Sequence, residues 1–550
     1  MSPIVREHYR VPREDRATLF RPAPADLPAL VERNRRLIGS WNFEVAGRPV
    51  AVYRAAARAE AVVLALAYAA RWGFTVPGWV EPAPLVVTGH QPPPFHPGVW
   101  LKNFLAGSLA AAVGGAGLNL VVDTDEAHGQ AVRFPVQAPG EDVHVAEFPL
   151  AAAAPGLALE EQPPSSLNLG GLVTCTEAAC SAASLVAAGP MARALERSML
   201  LVRGAAAEAS SLAEATTVAR RRLEEELGLR NFELPVSRLA DGEAFRLFVA
   251  EMLGRHAEFF AAYNDTLAEY RRAYRERSPA QPVPDLARDG ERIELPLWVW
   301  RAGEPRRRLW VAPTHEERAH QDERLTSLTL MADHETVGTL DAAELGDAAA
   351  IVSRLDQLRR AGWKIRPRAL AMTLFVRLAI ADTFIHGLGG ALYDRVTDGI
   401  FERLYGVRPP ELAVASCTVY LPLEGYPSTP RDLDAAVRAV RDWRHNPDRM
   451  LSDAVRAQPA ASAMIDEKRR LVAVRAATRE GRAAAFRRIH AINEALIALD
   501  PDGPRRADAR LADVRREVRW NGILRDREYP FWFYPAEEVG AFFGQAVAAK

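Results

Sequence analysis

Leu85-Val86-Val87-Thr88 is a short apolar run bounded by Pro82-Ala83-Pro84 and a proline-rich loop, the pattern of a strand buried on both faces. Pro92 to Pro97 forbid a regular helix through that loop, and Gly98 follows. Val99 to Val113 then reads as a helix closed by Gly114-Gly115, and Leu118-Asn119-Leu120-Val121-Val122 as a second strand ending in Asp123-Thr124-Asp125. Strand, loop, helix and strand, with polar residues after each strand, make a βαβ unit, so the chain is expected to be an α/β protein with a parallel sheet.

The remaining segments arrange themselves around this unit. Residues 1–80 read as an N-terminal helical region, and 81–150 as the first half of the core. Residues 151–290 read as a mainly helical insertion, with helices over Leu212–Leu227 and Ala244–Arg277. Within 291–340, Ile293–Val311 is a β-hairpin turning at Ala302-Gly303-Glu304-Pro305. Residues 341–425 form the second half of the core. There Thr383-Phe384-Ile385 leads into His386-Gly387-Leu388-Gly389-Gly390, a helix Ala391–Tyr405 and a strand Leu412–Tyr420. Residues 426–525 are charged and helical: Phe486, Ile489, Asn493, Leu496 and Leu499, then Leu511, Val514 and Val518, predict an antiparallel helical hairpin with a short coiled-coil seam. The aromatic tail, 526–550, is expected to pack down as core or interface.

With 550 residues, several cores are needed. No apolar run approaches the roughly 20 residues of a membrane span, and the first residues lack the apolar core of a signal peptide. A net charge of -1 argues against nucleic acid or an anionic membrane as partner, and three cysteines (Cys175, Cys180, Cys417) suit a reducing cytoplasm.

Three clusters carry chemistry. The first is Thr88-Gly89-His90-Gln91, His96 and Lys102-Asn103, at a strand end leading into a helix N-terminus, where free N–H groups and a partial positive charge favour anions. The second is Asp123, Asp125, Glu126 and His128 after the neighbouring strand, carboxylates that could hold an amine or take a proton. The third is His386, Gly387, Gly389 and Gly390, with Tyr393 and Asp394 one turn on. His90, His96, Asp125 and His128 are the candidate catalytic residues. Thr88, Gly89, Gln91, Lys102, Asn103, Asp123 and the glycine turn are candidates for holding substrate or nucleotide. Thr314–His320 looks like a helix start and reads as a solvated face rather than a zinc site, and Cys175 and Cys180 lack a second pair.

In this layout the chain resembles the bacillithiol-biosynthesis cysteine-adding enzymes, the cysteine ligases. Their first strand ends in Thr-Gly-Gln-Gln, similar to Thr88-Gly89-His90-Gln91, and their next strand ends in an acidic and histidine cluster like Asp123–His128. The hairpin Leu295–Val311, Arg366-Pro367, the glycine turn and helix at 387–406, and the C-terminal helices also match, across roughly residues 80–520. The chain departs from the family at His90, in its proline-rich loop and in its aromatic tail. The resemblance implies a Rossmann-like core with helical insertions and a dimerising coiled coil. It also implies a ligase or transferase joining an amino acid such as cysteine to an amino-sugar-type metabolite. The cofactor stays open, with a nucleotide, ATP or ADP, as the candidate. Two alternatives remain at this point: a metal-dependent hydrolase using His90, His96, Asp123, Asp125 and His128, and a non-catalytic scaffold. The apolar spacing on the charged helices at 430–520 points to a homodimer through them.

Overall fold

The βαβ unit expected at residues 85–122 forms, and its two strands lie side by side in a parallel sheet. The computed structural model describes residues 6–126, 131–137, 140–152, 154–168, 170–171, 189–278, 280–316, 324–473 and 477–548. In chain order, Thr18–Arg21 (β1), Leu85–His90 (β2), Ala116–Val121 (β3) and Phe232–Pro235 (β4) come first. Five antiparallel strands follow: Arg292–Arg301 (β5), Arg307–Glu316 (β6), Arg324–Ala332 (β7), Glu335–Asp341 (β8) and Trp363–Pro367 (β9). Thr383–His386 (β10) and Ala413–Cys417 (β11) return to the first sheet.

Among the described residues that sheet runs β1-β11-β10-β2-β3-β4. All neighbours are parallel except β1, which lies antiparallel on β11. Numbered along the chain, the five parallel strands lie in the order 3-2-1-4-5, so the order reverses between β2 and β10. β2 is buried along its length because a parallel strand is covered on both faces: Leu85, Val86 and Val87 expose no surface. Pro97–Ala112 (α1) connects β2 to β3, with Pro97 in the first turn, where a missing N–H costs nothing, and His96 accepting from Gly98 N at 3.0 Å as its cap. Leu212–Glu226 (α2) precedes β4 and Val236–Ala240 (α3) follows it. Ala369–Ala379 (α4) precedes β10, and Leu388–Tyr405 (α5) lies between β10 and β11.

The antiparallel strands form a second sheet, β8-β7-β6-β5-β9. The expected hairpin is its β5–β6 pair, with Ile293 opposite Val311. Thr314 to Glu316 continue β6 instead of starting a helix, while His320, Cys175 and Cys180 lie outside the described residues.

Two expectations need correction. The N-terminal region is not wholly helical, because Thr18–Arg21 supplies the edge strand β1. The insertion is mainly helical, as expected, but also supplies β4, which completes the parallel sheet; its Glu233 interrupts the apolar run yet is buried, held by Arg220 and by Asn119 Nδ2 at 2.7 Å. The seven segments also reduce to two compact units: residues 1–134, 146–422 and 527–550 form one, and 135–145 with 423–526 the other.

The second unit contains Pro430–His445 (α6), Pro459–Ala473 (α7), Arg479–Ile497 (α8) and Gly503–Leu524 (α9). Here α8 packs on α7 and α9 on α6, in place of the expected α8–α9 hairpin seam. Leu496 of the proposed seam joins Ile492, Trp443, Leu451, Ala461 and Ile465 in a small core, whereas Phe486 remains 63% exposed. No described helix is long and apolar enough to cross a membrane.

Candidate active site

A cleft of about 540 Å³ opens at the carboxyl ends of β2, β3 and β10, where the strand order reverses. Ligands collect at such switch points because strand ends and helix N-termini leave backbone groups free. The three sequence clusters meet there: Gly89, His90, Gln91, His96 and Lys102 after β2, Asp125 after β3, and His386, Gly387, Gly389 and Gly390 after β10.

Lys102 is 5% exposed, and its Nζ donates to Gly89 O at 2.7 Å. No carboxylate pairs with it among the described residues, and desolvation lowers its pKa to about 8. An ammonium has three donors, so Lys102 keeps capacity for an anionic ligand.

The histidines differ in what they have left to offer. His90 Nδ1 contacts Gln91 O at 2.9 Å, so it carries the hydrogen, and Nε2 faces Asn103 Nδ2 at 3.3 Å. Both ring nitrogens are therefore engaged, and burial with Arg220 and Lys102 nearby holds the ring neutral. This corrects its candidacy as acid or base: His90 shapes the wall and packs its edge on Phe95 at 4.2 Å. His96 spends Nδ1 on the α1 cap and keeps Nε2–H, 3.5 Å from Glu528 Oε2. Burial, Arg527 and Lys102 lower its pKa to about 3, so it can donate a hydrogen bond but resists protonation.

Asp125 is a bridge: it accepts from Gln91 Nε2 and from Arg306 NH1, the latter at 3.1 Å. Three other candidates do not reach the cleft. Thr88 Oγ1 donates to Ile385 O at 3.0 Å and ties β2 to β10. Asn103 Nδ2 donates to Glu224 Oε1 at 2.7 Å, facing α2. Asp123 turns toward β4 and accepts from Ser237 N at 2.9 Å at the start of α3; burial and Glu160 push its pKa upward. His128 lies outside the described residues. Among those residues, no group of three or more His, Cys, Asp or Glu is arranged to hold a metal. His90 and Asp123, with donors already committed, could not complete the set proposed for a hydrolase.

Sequence reasoning missed the cationic wall. Arg306 and Arg368, flanking strands β6 and β9 of the antiparallel sheet, both lie over the Trp298 ring, at 4.7 and 4.1 Å from its centroid. Arg368 is braced by Glu294 Oε1 at 2.6 Å. It also precedes α4, which like α5 lacks a side-chain cap at its N-terminus. The aromatic tail adds Arg527 and Glu528: Phe531 N donates to Phe95 O at 2.8 Å, and the Phe531 ring sits 4.9 Å from Trp100. An Arg immediately before a helix was visible in sequence, but nothing local tied it to a loop nearly 300 residues earlier.

Such a site, four cations and two uncapped helix starts around a few carboxylates and histidines, suits an anionic small molecule. Neither a scan of protein-family models nor a search of curated proteins matches the chain.

Proposed function

We propose that this chain is a cytoplasmic ligase or transferase on a Rossmann-like core, similar in chemistry to the bacillithiol cysteine-adding enzymes. It would join an amino acid such as cysteine to a small, polar, amino-sugar-type metabolite. The observation that carries the reading is Lys102, a buried amine that pairs with no carboxylate among the described residues, lining a cleft that Arg368 and the uncapped start of α5 also line. The 3-2-1-4-5 order of the parallel strands supports the Rossmann-like assignment.

A nucleotide fits this donor set. Lys102, Arg368 and the Gly387–Gly390 backbone would hold its phosphates, and it would supply the free energy that amide formation needs. The chain's own residues would hold the amino acid: Asp125 would attract its ammonium, and Arg306 would orient Asp125. The wall of Trp298 and Phe384 would limit water around the joining groups. The C-terminal helices would carry a homodimer contact.

Thermal shift with ATP, ADP, cysteine and amino-sugar conjugates tests the proposal. At least one is expected to raise Tm, and Lys102→Ala to abolish the rise. No stabilisation by any of these compounds would overturn it.

A further inference from the structure

His386 differs from the other cleft histidines. Its Nε2 lies 3.1 Å from Asp394 Oδ2, which also receives Arg377 NH1 at 2.8 Å. Asp394 exposes no surface. Burial pushes its carboxyl upward, but Arg377 and His386 outweigh this and hold it well below the usual carboxylate range. A carboxylate can only accept, so Nε2 carries the ring hydrogen and Nδ1 presents a lone pair. No protein donor reaches Nδ1 among the described residues. It lies against the first turn of α5, where a Cβ on Gly390 would stand 2.6 Å from it. The glycine is therefore required by the position of the ring. Both His386 and Gly390 line the cleft, and the Phe384 ring lies tilted against the imidazole, centroids 4.4 Å apart.

A histidine held by a buried carboxylate at one nitrogen, with no protein donor among the described residues on the other, is the geometry of a general base. We propose that His386 is the proton acceptor of this site, taking a proton at Nδ1 from an N–H, S–H or O–H group of the bound molecule, with Asp394 as its positioning residue. The bond to hydrogen breaks, its electron pair stays on the ligand atom as the nucleophile, and a new N–H bond forms at Nδ1. The Asp394 carboxylate stabilises the resulting imidazolium. His90 cannot do this, having both nitrogens engaged, nor can His96, whose lone pair caps α1. The proposal rests on reading the cleft as an enzyme site, but its test needs no substrate.

Diethyl pyrocarbonate acylates an unprotonated imidazole nitrogen. The lone pair attacks one carbonyl, an N–C bond forms, and ethyl carbonate leaves, breaking down with a proton to ethanol and carbon dioxide. On the intact, ligand-free chain, peptide mass mapping is expected to show His386 reacting at least about 10-fold faster than His90, since only His386 offers a free nitrogen. In Asp394→Asn the amide oxygen takes the Oδ2 position, because Arg377 NH1 donates there too, so Nε2 keeps its hydrogen while the buried negative charge that makes Nδ1 a better nucleophile is lost. The rate at His386 should then fall about 10-fold. Spectra of ¹⁵N-histidine-labelled protein should show a single Nε2–H tautomer at His386 in the wild type, which a ring held by packing alone would not require. If Asp394→Asn does not fold, the wild-type rate and tautomer still decide. The proposal is overturned if His386 reacts no faster than His90, if its wild-type hydrogen is on Nδ1, or if folded Asp394→Asn reacts at the wild-type rate. Failure here would leave the thermal-shift result standing, and the reverse also holds.

Discussion

Lys102 shows how a functional side chain works against stability. In the unfolded chain its amine keeps a proton up to the ordinary value of 10.5, while burial lowers this to about 8 in the fold. Below about pH 8 both states are protonated, and the folded state bears the full cost of a buried charge. Between about 8 and 10.5 the unfolded chain binds more protons, so this group's contribution makes stability rise with pH. Lys102→Met should therefore raise stability near neutral pH by about 1–3 kcal/mol, flatten that rise, and remove stabilisation by anionic ligands. Denaturant titrations at pH 7 and 9.5 check this; a less stable variant at pH 7 contradicts it. The amine was legible in the sequence because it falls in the first turns of a helix after a buried strand. Direction of side chains was not legible. Asp123 and Asp125 are two positions apart, yet one turns to Ser237 and the other to Gln91 and Arg306. Thr88 near the end of β2 and Asn103 in α1 likewise spend their polar atoms on Ile385 and Glu224. Arg306 and Arg368 were hidden because their meeting over Trp298 depends on the pairing of a second sheet.

At the scale of elements, strands bounded by proline or glycine were read well. β2, β3 and β10 lie where apolar runs end in polar turns. β4 escaped because its middle residue is a glutamate, whose burial is tolerable only with the distant Arg220 and Asn119 as partners. The helices of the second unit were placed from their periodicity, but their partners were not, since a heptad seam does not say which helix it faces. Gly503 records the actual packing of α9 on α6: a Cβ there would stand 2.2 Å from Trp443 Cζ2. The ring belongs to the unit's small core and is 5% exposed, so it has little room to yield. Gly503→Ala should destabilise this unit by about 1–3 kcal/mol. Hydrogen exchange should reveal faster opening across residues 430–524, with the protection of β2 and β3 unchanged. Equal protection of residues 430–524 in wild type and variant would show that the contact gives way freely.

For the whole molecule the open question is assembly. Along α7 and α8 some of the charges pair within the unit, as where Arg488 Nε meets Glu467 Oε1 at 2.6 Å. Such exposed pairs contribute little to stability and call for no partner. The apolar residues on the same unit are different: Val437 on α6 is 45% exposed, Val472 on α7 67% and Phe486 on α8 63%. None of the three is needed by the core around Trp443, and each costs hydration free energy while uncovered. A second copy of the chain would cover these side chains without exposing the ion pairs. We therefore expect light scattering at micromolar concentration to give twice the chain mass of 60.4 kDa, with Tm rising as protein concentration rises. Val472→Glu combined with Phe486→Glu should leave the far-UV spectrum unchanged and reduce the scattering mass to that of one chain. Charges placed on an uncovered surface cost little in a monomer, whereas in a dimer they would have to be buried. A wild-type mass of 60.4 kDa at these concentrations sinks the dimer outright. A dimer that persists in the double variant would place the contact elsewhere than these helices.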